Sequence, residues 1–425
     1  MRCQHEEAGL LQVFATGGGS TLTDVCLYFQ VHQPFRMRRY NVFDIGQSRD
    51  YFDNLKNREV MQKVAKKCYL PANRVLRNLI AKHDDFKVSF SITQPALEQF
   101  RQYAPAVLDS FEDLAATGAV EFLNETSHHS LAFLHNIDEF KEQVRLHQQL
   151  IKEHFGQKPV VFRNTELVYN NHLAKTVEEM GYKAVLAEGA DRILGWRSPN
   201  HVYKPKTTKR MRLLLKNYRL SDDIAFRFGN KNWEGYPVTA KKYASWLAPI
   251  LGDSINLFMD YETFGEHQWD DTGIFKFLEH LPAELKKKGM SFLHPSELAK
   301  AEPKAELDIH HPISWADIER DTSAWLGNRM QNAAAERLYA LRKDVLSSRN
   351  PGLIEAWRRL TTSDHFYYMC TKWFNDGDVH KYFNPYDSPY EAFIAFMNIL
   401  NDLILRVKGE RQGAFSGTFA RWMHA

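Results

Sequence analysis

The sequence predicts an α/β fold, a (β/α) barrel followed by a helical region, and three observations carry that prediction. Short apolar strand-like runs alternate with helical patterns through about the first 300 residues. No GxGxxG follows the first run, which removes the usual reason to prefer an open doubly wound sheet. Polar and ionisable residues gather just after the runs, where a parallel barrel presents its chemistry.

The runs fall at 25–31, 86–92, 119–123, 160–162, 184–187, 212–216, 255–259 and 290–293. They are rich in Val, Phe, Ile and Leu, as strands covered on both faces should be. Between them, 58–83 reads as a helix broken at Pro71, and 95–117 and 139–155 read as helices stopped by Gly118 and Gly156. After Leu298 the strand signals cease, and 315–346, 353–374 and 389–407 read as helices. The expected division is a loosely ordered, glycine-rich leader over 1–23, a barrel over 24–300 and a helical region over 301–425. The charged stretch 300–307 is expected to link the last two.

Composition narrows the function classes. Lys plus Arg number 55 against 52 Asp plus Glu, so a net charge of +3 gives no electrostatic case for a nucleic-acid or membrane partner. No run approaches the ~18 apolar residues of a membrane span, and the first residues make a poor secretory signal. Cys3, Cys26, Cys68 and Cys370 are scattered without CxxC spacing, which suits free thiols in a reducing compartment. A cytoplasmic enzyme without cofactor or metal is the expectation. Aromatic residues make up 13% of the chain, enough for a large core and also for a groove that stacks on sugar rings.

Five strand ends converge. The first runs into His32-Gln33-Pro34 and the second into Thr93-Gln94-Pro95. The third runs into Asn124-Glu125-Thr126-Ser127-His128-His129, and the fourth into Arg163-Asn164-Thr165-Glu166. The seventh runs into Asp260-Tyr261-Glu262-Thr263-Phe264-Gly265-Glu266-His267. Taken singly, His32 could cap a strand, Gln33 could be turn chemistry and Glu125 an ordinary ion-pair partner; their convergence is the signal. Neighbours His128 and His129 point opposite ways on extended backbone, so hydrogen bonding to substrate hydroxyls suits them better than joint metal ligation. Asp260 and Glu262 share a face, and two close carboxyls raise the pKa of one, as an acid catalyst requires. Glycoside hydrolysis with retention needs two carboxyls about 5–5.5 Å apart, and Glu166 and Asp260 come from strand ends that could face across a cleft.

These motifs resemble glycoside hydrolase family 57, whose members are α-amylases, 4-α-glucanotransferases and branching enzymes. The resemblance runs through His32-Gln33-Pro34, Gly118-Ala119-Val120-Glu121-Phe122-Leu123, Phe162-Arg163-Asn164-Thr165-Glu166, the segment from Met259 to His267, and Thr362-Ser363-Asp364-His365-Phe366-Tyr367-Tyr368-Met369. The last two match the members called α-amylases in detail. The resemblance implies an incomplete (β/α)7 barrel with a C-terminal helical bundle that completes the active site. It implies Glu166 as nucleophile and Asp260 as general acid/base, acting with retention on α-1,4-glucosidic bonds of α-glucans. Substrate contacts or tuning of the carboxyls are expected from His32, Gln33, Glu125, His129, Arg163, Glu262 and His267. Asp364 and His365 are expected to close the site, while Trp373 and the Tyr367–Tyr368 pair suit either packing in the core or stacking on sugars.

Three other readings remain open on the sequence. A 4-α-glucanotransferase would use the same residues, and a glucan-binding protein would keep the groove without turnover. A metal-dependent polysaccharide deacetylase would need an Asp and two His, such as His128 with a distant partner, and no HxxxH spacing appears.

Overall fold

The computed structural model describes residues 23–372 and 384–422. The expected leader, apart from Thr23, lies outside the described residues, as does Trp373. Among the described residues there are nine strands, in chain order β1 (Val25–Val31), β2 (Val88–Ile92), β3 (Val120–Phe122), β4 (Val161–Arg163), β5 (Ala184–Glu188), β6 (Tyr203–Pro205), β7 (Arg212–Lys216), β8 (Ile255–Asp260) and β9 (Ala305–Leu307). One sheet runs β3-β2-β1-β8, all parallel, and the other runs β4-β5-β7-β6-β9. A parallel bridge between Asn124 and Phe162 joins β3 to β4. At the other seam the Asn217 N–H donates to Asn256 O (2.9 Å) and the Asn256 amide donates to Leu215 O (2.9 Å), with no strand ladder. Seven parallel strands thus make an interrupted ring, an incomplete (β/α)7 barrel.

The strands alternate strictly between the two faces. Leu27, Phe29 and Val31 of β1 pack outward with Phe90 and the surrounding helices. Cys26 and Tyr28 pack inward with Val161, Ala184, Leu186, Leu214 and Phe258 from both sheets. Continued to the C-terminal ends, the inward positions become Gln30, Ser91, Arg163, Glu188, Lys216 and Asp260. The barrel is therefore greasy at mid-height and polar at one mouth.

Several expectations shift. The run 290–293 forms only a parallel bridge from Phe292 to Val25. The stretch 300–307 contains β9, which pairs with β6, in place of an extended linker. Pro71 sits in the first turn of the helix Leu70–Lys82, where its missing N–H is harmless; the irregularity is a π-helical turn just before it, over Ala65–Tyr69. The helix expected over 95–117 divides into Gln94–Tyr103 and Pro105–Ala116, because Pro105 cannot continue the first. Gly156 ends the helix Ile137–Phe155 at φ 68°, where a glycine carries no steric cost.

Residues 315–322 form a loop, and helices begin only at Ser323–Leu326 and Arg329–Ala340. Further helices span Pro351–Leu360, Ser363–Tyr367 and Pro389–Trp422. These helices dock on the barrel through buried Glu139, which accepts from Arg358 (2.9 Å) and Arg342 (3.1 Å). Removing Glu139 would leave two guanidinium groups facing each other without their anion. Among the described residues Cys26, Cys68 and Cys370 are free and buried, and no helix is long and apolar enough to cross a membrane.

Candidate active site

The chain leaves β4 in a tight turn. Glu166 (φ 56°, ψ 24°) and Leu167 (φ 51°) both adopt left-handed backbone, a conformation that costs a non-glycine residue of the order of 1–3 kcal/mol. Surrounding contacts hold the turn in place. The Asn164 amide donates to Val168 O (2.9 Å), and Tyr169 pairs with Ile313. The Trp315 backbone N–H donates to Glu166 O (3.2 Å). The turn aims a buried carboxylate at the barrel mouth, with Oε2 accepting from the Trp315 indole (2.8 Å) and Oε1 from Ser363 Oγ (2.9 Å).

A second carboxylate lies behind it. Glu125 is fully buried and accepts from the Gln30 amide (2.9 Å) and from His129 Nδ1 (2.9 Å). The other nitrogen of that imidazole stands 3.4 Å from Glu166 Oε1. One histidine, itself held at φ 51°, is therefore shared between two buried carboxylates. Burial alone would raise the Glu125 carboxyl, but the hydrogen bond and charge of His129, with Arg163 behind it, bring it down to about 2. Burial would likewise lower His129, yet Glu125 and Glu166 carry it up to about 9. Arg163 is buried with its guanidinium 3.8 Å from Glu125 and over the Trp315 ring at 4.8 Å, and its side-chain nitrogens have no hydrogen-bond acceptor among the described residues.

This arrangement makes stability depend on pH with a definite sign. Glu125 lies below its unfolded value, so its contribution is present above the ordinary carboxylate range and fades as pH falls towards about 2. His129 lies above its unfolded value of about 6.5, so its contribution is complete below that pH and is lost as pH rises through about 9. Thermal unfolding should show wild type losing more midpoint than His129→Gln between about pH 6.5 and 9. Parallel curves would mean that the imidazole is uncharged in the fold.

The opposite wall is built from β1, β8 and the C-terminal helices. His32 bonds Thr93 Oγ1 through Nδ1 (2.8 Å) and Asp364 through Nε2 (2.9 Å), and stacks on His129 at 4.2 Å. Burial first, and then the charge of His129, lowers the pKa of His32. Gln33 donates to Glu262 (3.3 Å), whose carboxyl also accepts from the Tyr69 hydroxyl. Burial, reinforced by neighbouring Asp260, raises Glu262 to about 8. Burial contributes more to that rise than the like charge does.

Glu166, Asp260, His32, His129, Glu262 and His267 line one cleft of about 530 Å³, with Gln33, Asp364 and Trp315 beside them. Asp364 and Ser363 reach it because Ser130 pairs with Thr362 and the Thr362 hydroxyl donates to His128 O (2.9 Å), stitching the helical region to the loop after β3. His365 is not brought to the cleft. Its Nε2 bonds Arg359 O (3.1 Å), its ring faces Phe396, and burial lowers it to about 4. His128 turns away to Ser127 Oγ (2.8 Å) and Glu355 (3.3 Å). Among the described residues no three His, Cys, Asp or Glu side chains are grouped to hold a metal ion.

Sequence reasoning missed Trp315, Ser363 and Tyr69 as partners of the carboxylates. It also passed over Glu188 and Lys216, although both are charged residues ending apolar strands and the same rule would have found them.

The chain is similar to known proteins along most of its length. The family model of glycosyl hydrolase family 57 matches residues 26–311. A Methanocaldococcus jannaschii protein bearing the name "Putative alpha-amylase" is 45% identical over 398 residues, 89% of this chain and 84% of that protein. The fold resembles a 4-alpha-glucanotransferase of Thermococcus litoralis (TM-score 0.65, 14% identity), over 89% of this chain and 60% of that one. It also resembles an alpha-amylase of Thermotoga maritima (TM-score 0.57, 12% identity), over 92% and 94%. With a matching family model and a relative of this identity over most of its length, the chain belongs to glycosyl hydrolase family 57 and is a glycoside hydrolase.

Proposed function

We propose that the enzyme cleaves α-1,4-glucosidic bonds of α-glucans with retention, through a glucosyl–enzyme ester on Glu166. The observation that carries this reading is that Glu166 and Asp260, from β4 and β8, line one cleft, and that Glu166 is held as an acceptor by Trp315, Ser363 and His129. In the first step Glu166 Oε attacks the anomeric carbon. The C–O bond to the leaving sugar breaks, and protonated Asp260 gives its proton to the departing oxygen. In the second step Asp260, now a carboxylate, takes a proton from water as the water oxygen attacks the same carbon and releases Glu166. Donors around Glu166 keep it aimed, which matters most as charge develops on the sugar.

His32, Gln33, Glu125, His129, Arg163, Glu262, His267 and Asp364 then serve to bind sugar hydroxyls or to hold the reacting carboxyls. Protonated at neutral pH, Glu262 can donate a hydrogen bond as well as accept one. Residues 24–300 supply both carboxyls in this reading, and 301–425 complete the site through Trp315, Ser363 and Asp364. Among the described residues the cysteines are free and scattered, which suits a cytoplasmic enzyme.

Product analysis by chromatography after incubation with maltoheptaose, beside Glu166→Gln, tests the reading. Shorter oligosaccharides with rising reducing ends are expected, absent in the variant. Longer products at constant reducing ends would make the enzyme a 4-α-glucanotransferase. No change in either sample would point to a glucan-binding protein.

A further inference from the structure

A second chamber, of about 690 Å³, adjoins the first and shares Asp260, His267 and Trp315 with it, but not Glu166. Lys216, Asp222, Asp317 and Arg320 form its charged floor, and Glu188 pairs with the two cations from outside the lining. Lys216 Nζ lies 3.1 Å from Asp222 and 3.7 Å from Glu188, and Arg320 lies 3.0 Å from Glu188 and 3.8 Å from Asp222. Cations and carboxylates stand side by side in that floor, which makes it dense in donors and acceptors without a large excess of either charge. Such a floor suits a neutral polyol better than an ionic ligand. Aromatic walls complete the chamber: Trp315, Tyr367 and Phe226, the last 43% exposed. Rings of this kind offer flat apolar faces to pyranosides and are enriched where ligands dock.

Position gives the chamber its meaning. A nucleophile must lie under the sugar whose anomeric carbon it attacks, and an acid/base must face the oxygen between that sugar and its leaving group. Asp260 faces both chambers and Glu166 only one. We infer that the first chamber holds the glucosyl unit undergoing attack and that the second receives the glucosyl units on the leaving-group side, gripped by Phe226 and Tyr367 over the floor of Lys216, Asp222 and Arg320. This inference rests on the proposed function and adds the direction in which the glucan lies. After the leaving sugar departs, the same chamber holds either water or an incoming sugar hydroxyl, so its grip also sets hydrolysis against transfer.

The test compares kcat/KM for maltoheptaose, which fills both chambers, with that for α-maltotriosyl fluoride, which has no leaving sugar. Phe226→Ala should lower the maltoheptaose value roughly tenfold more than the fluoride value, as expected when one stacking ring is lost. Phe226→Tyr, which keeps the ring, should restore most of the ratio, separating this effect from a folding defect. Equal losses on both substrates, or a loss on the fluoride alone, would overturn the assignment while leaving the glycosidase reading intact. Turnover of neither substrate by wild type would overturn the functional reading and this inference with it.

Discussion

Glu166→Gln should lower kcat/KM on maltoheptaose by about 10⁴-fold or more, the scale on which enzymes lose activity without their covalent nucleophile. The amide keeps the shape of the carboxylate but not its nucleophilicity or charge. Folding should suffer much less. Glu166 accepts from Trp315 Nε1 on one oxygen and from Ser363 Oγ on the other, and an amide nitrogen can accept from neither. Because Ser363 can rotate its hydroxyl, the expected cost is no more than the ~1–3 kcal/mol of one unsatisfied buried donor. Glu166→Ala would free both donors and open a cavity, so the amide is the cleaner variant. Its thermal midpoint, measured beside its turnover, makes the check. A variant that unfolds at assay temperature would mean that Glu166 is held for structure rather than chemistry.

Asp260→Asn should show a different signature, because its work depends on the leaving group. On maltoheptaose the departing sugar oxygen needs a proton, and kcat/KM should fall on the order of 10²–10⁴-fold. On α-maltotriosyl fluoride the departing ion needs none, and kcat/KM should fall far less. The second step still lacks its base there, so kcat should drop and the glycosyl–enzyme should accumulate as a burst of fluoride. Equal losses in kcat/KM on the two substrates would remove the acid role from Asp260. The cleft also offers Glu262, raised to about 8 by its burial and by Asp260, as a second candidate for the acid. Glu262→Gln is the natural companion variant.

The barrel was legible because its strands are buried on both faces and so read as continuous apolar runs. The candidate cleft was legible because those runs end abruptly in His32, Glu125, Glu166 and Asp260, residues an apolar strand does not need. What escaped depends on tertiary contact. Residues 315–320 have unremarkable helix propensity, yet the loop is captured by Glu166 O on the Trp315 N–H and by Glu188 on Arg320. Tyr69 sits in a run of helical residues, and nothing local says that its hydroxyl will reach Glu262. The two short strands β6 and β9 are three residues each, too brief for periodicity to register. His365 lies next to Asp364, but successive helical positions point about 100° apart, and the helix that brings Asp364 to His32 turns its neighbour into the core.

The central claim, a double displacement through Glu166, is tested most directly by the anomeric form of the first product. Proton NMR of a maltoheptaose digest, recorded within minutes and before mutarotation, distinguishes the two. Signals of α-anomeric reducing ends rising first are what a glucosyl ester on Glu166 with water entering from the Asp260 side predicts. Initial formation of β-anomers would mean a single displacement by water, and Glu166 could not then be the nucleophile.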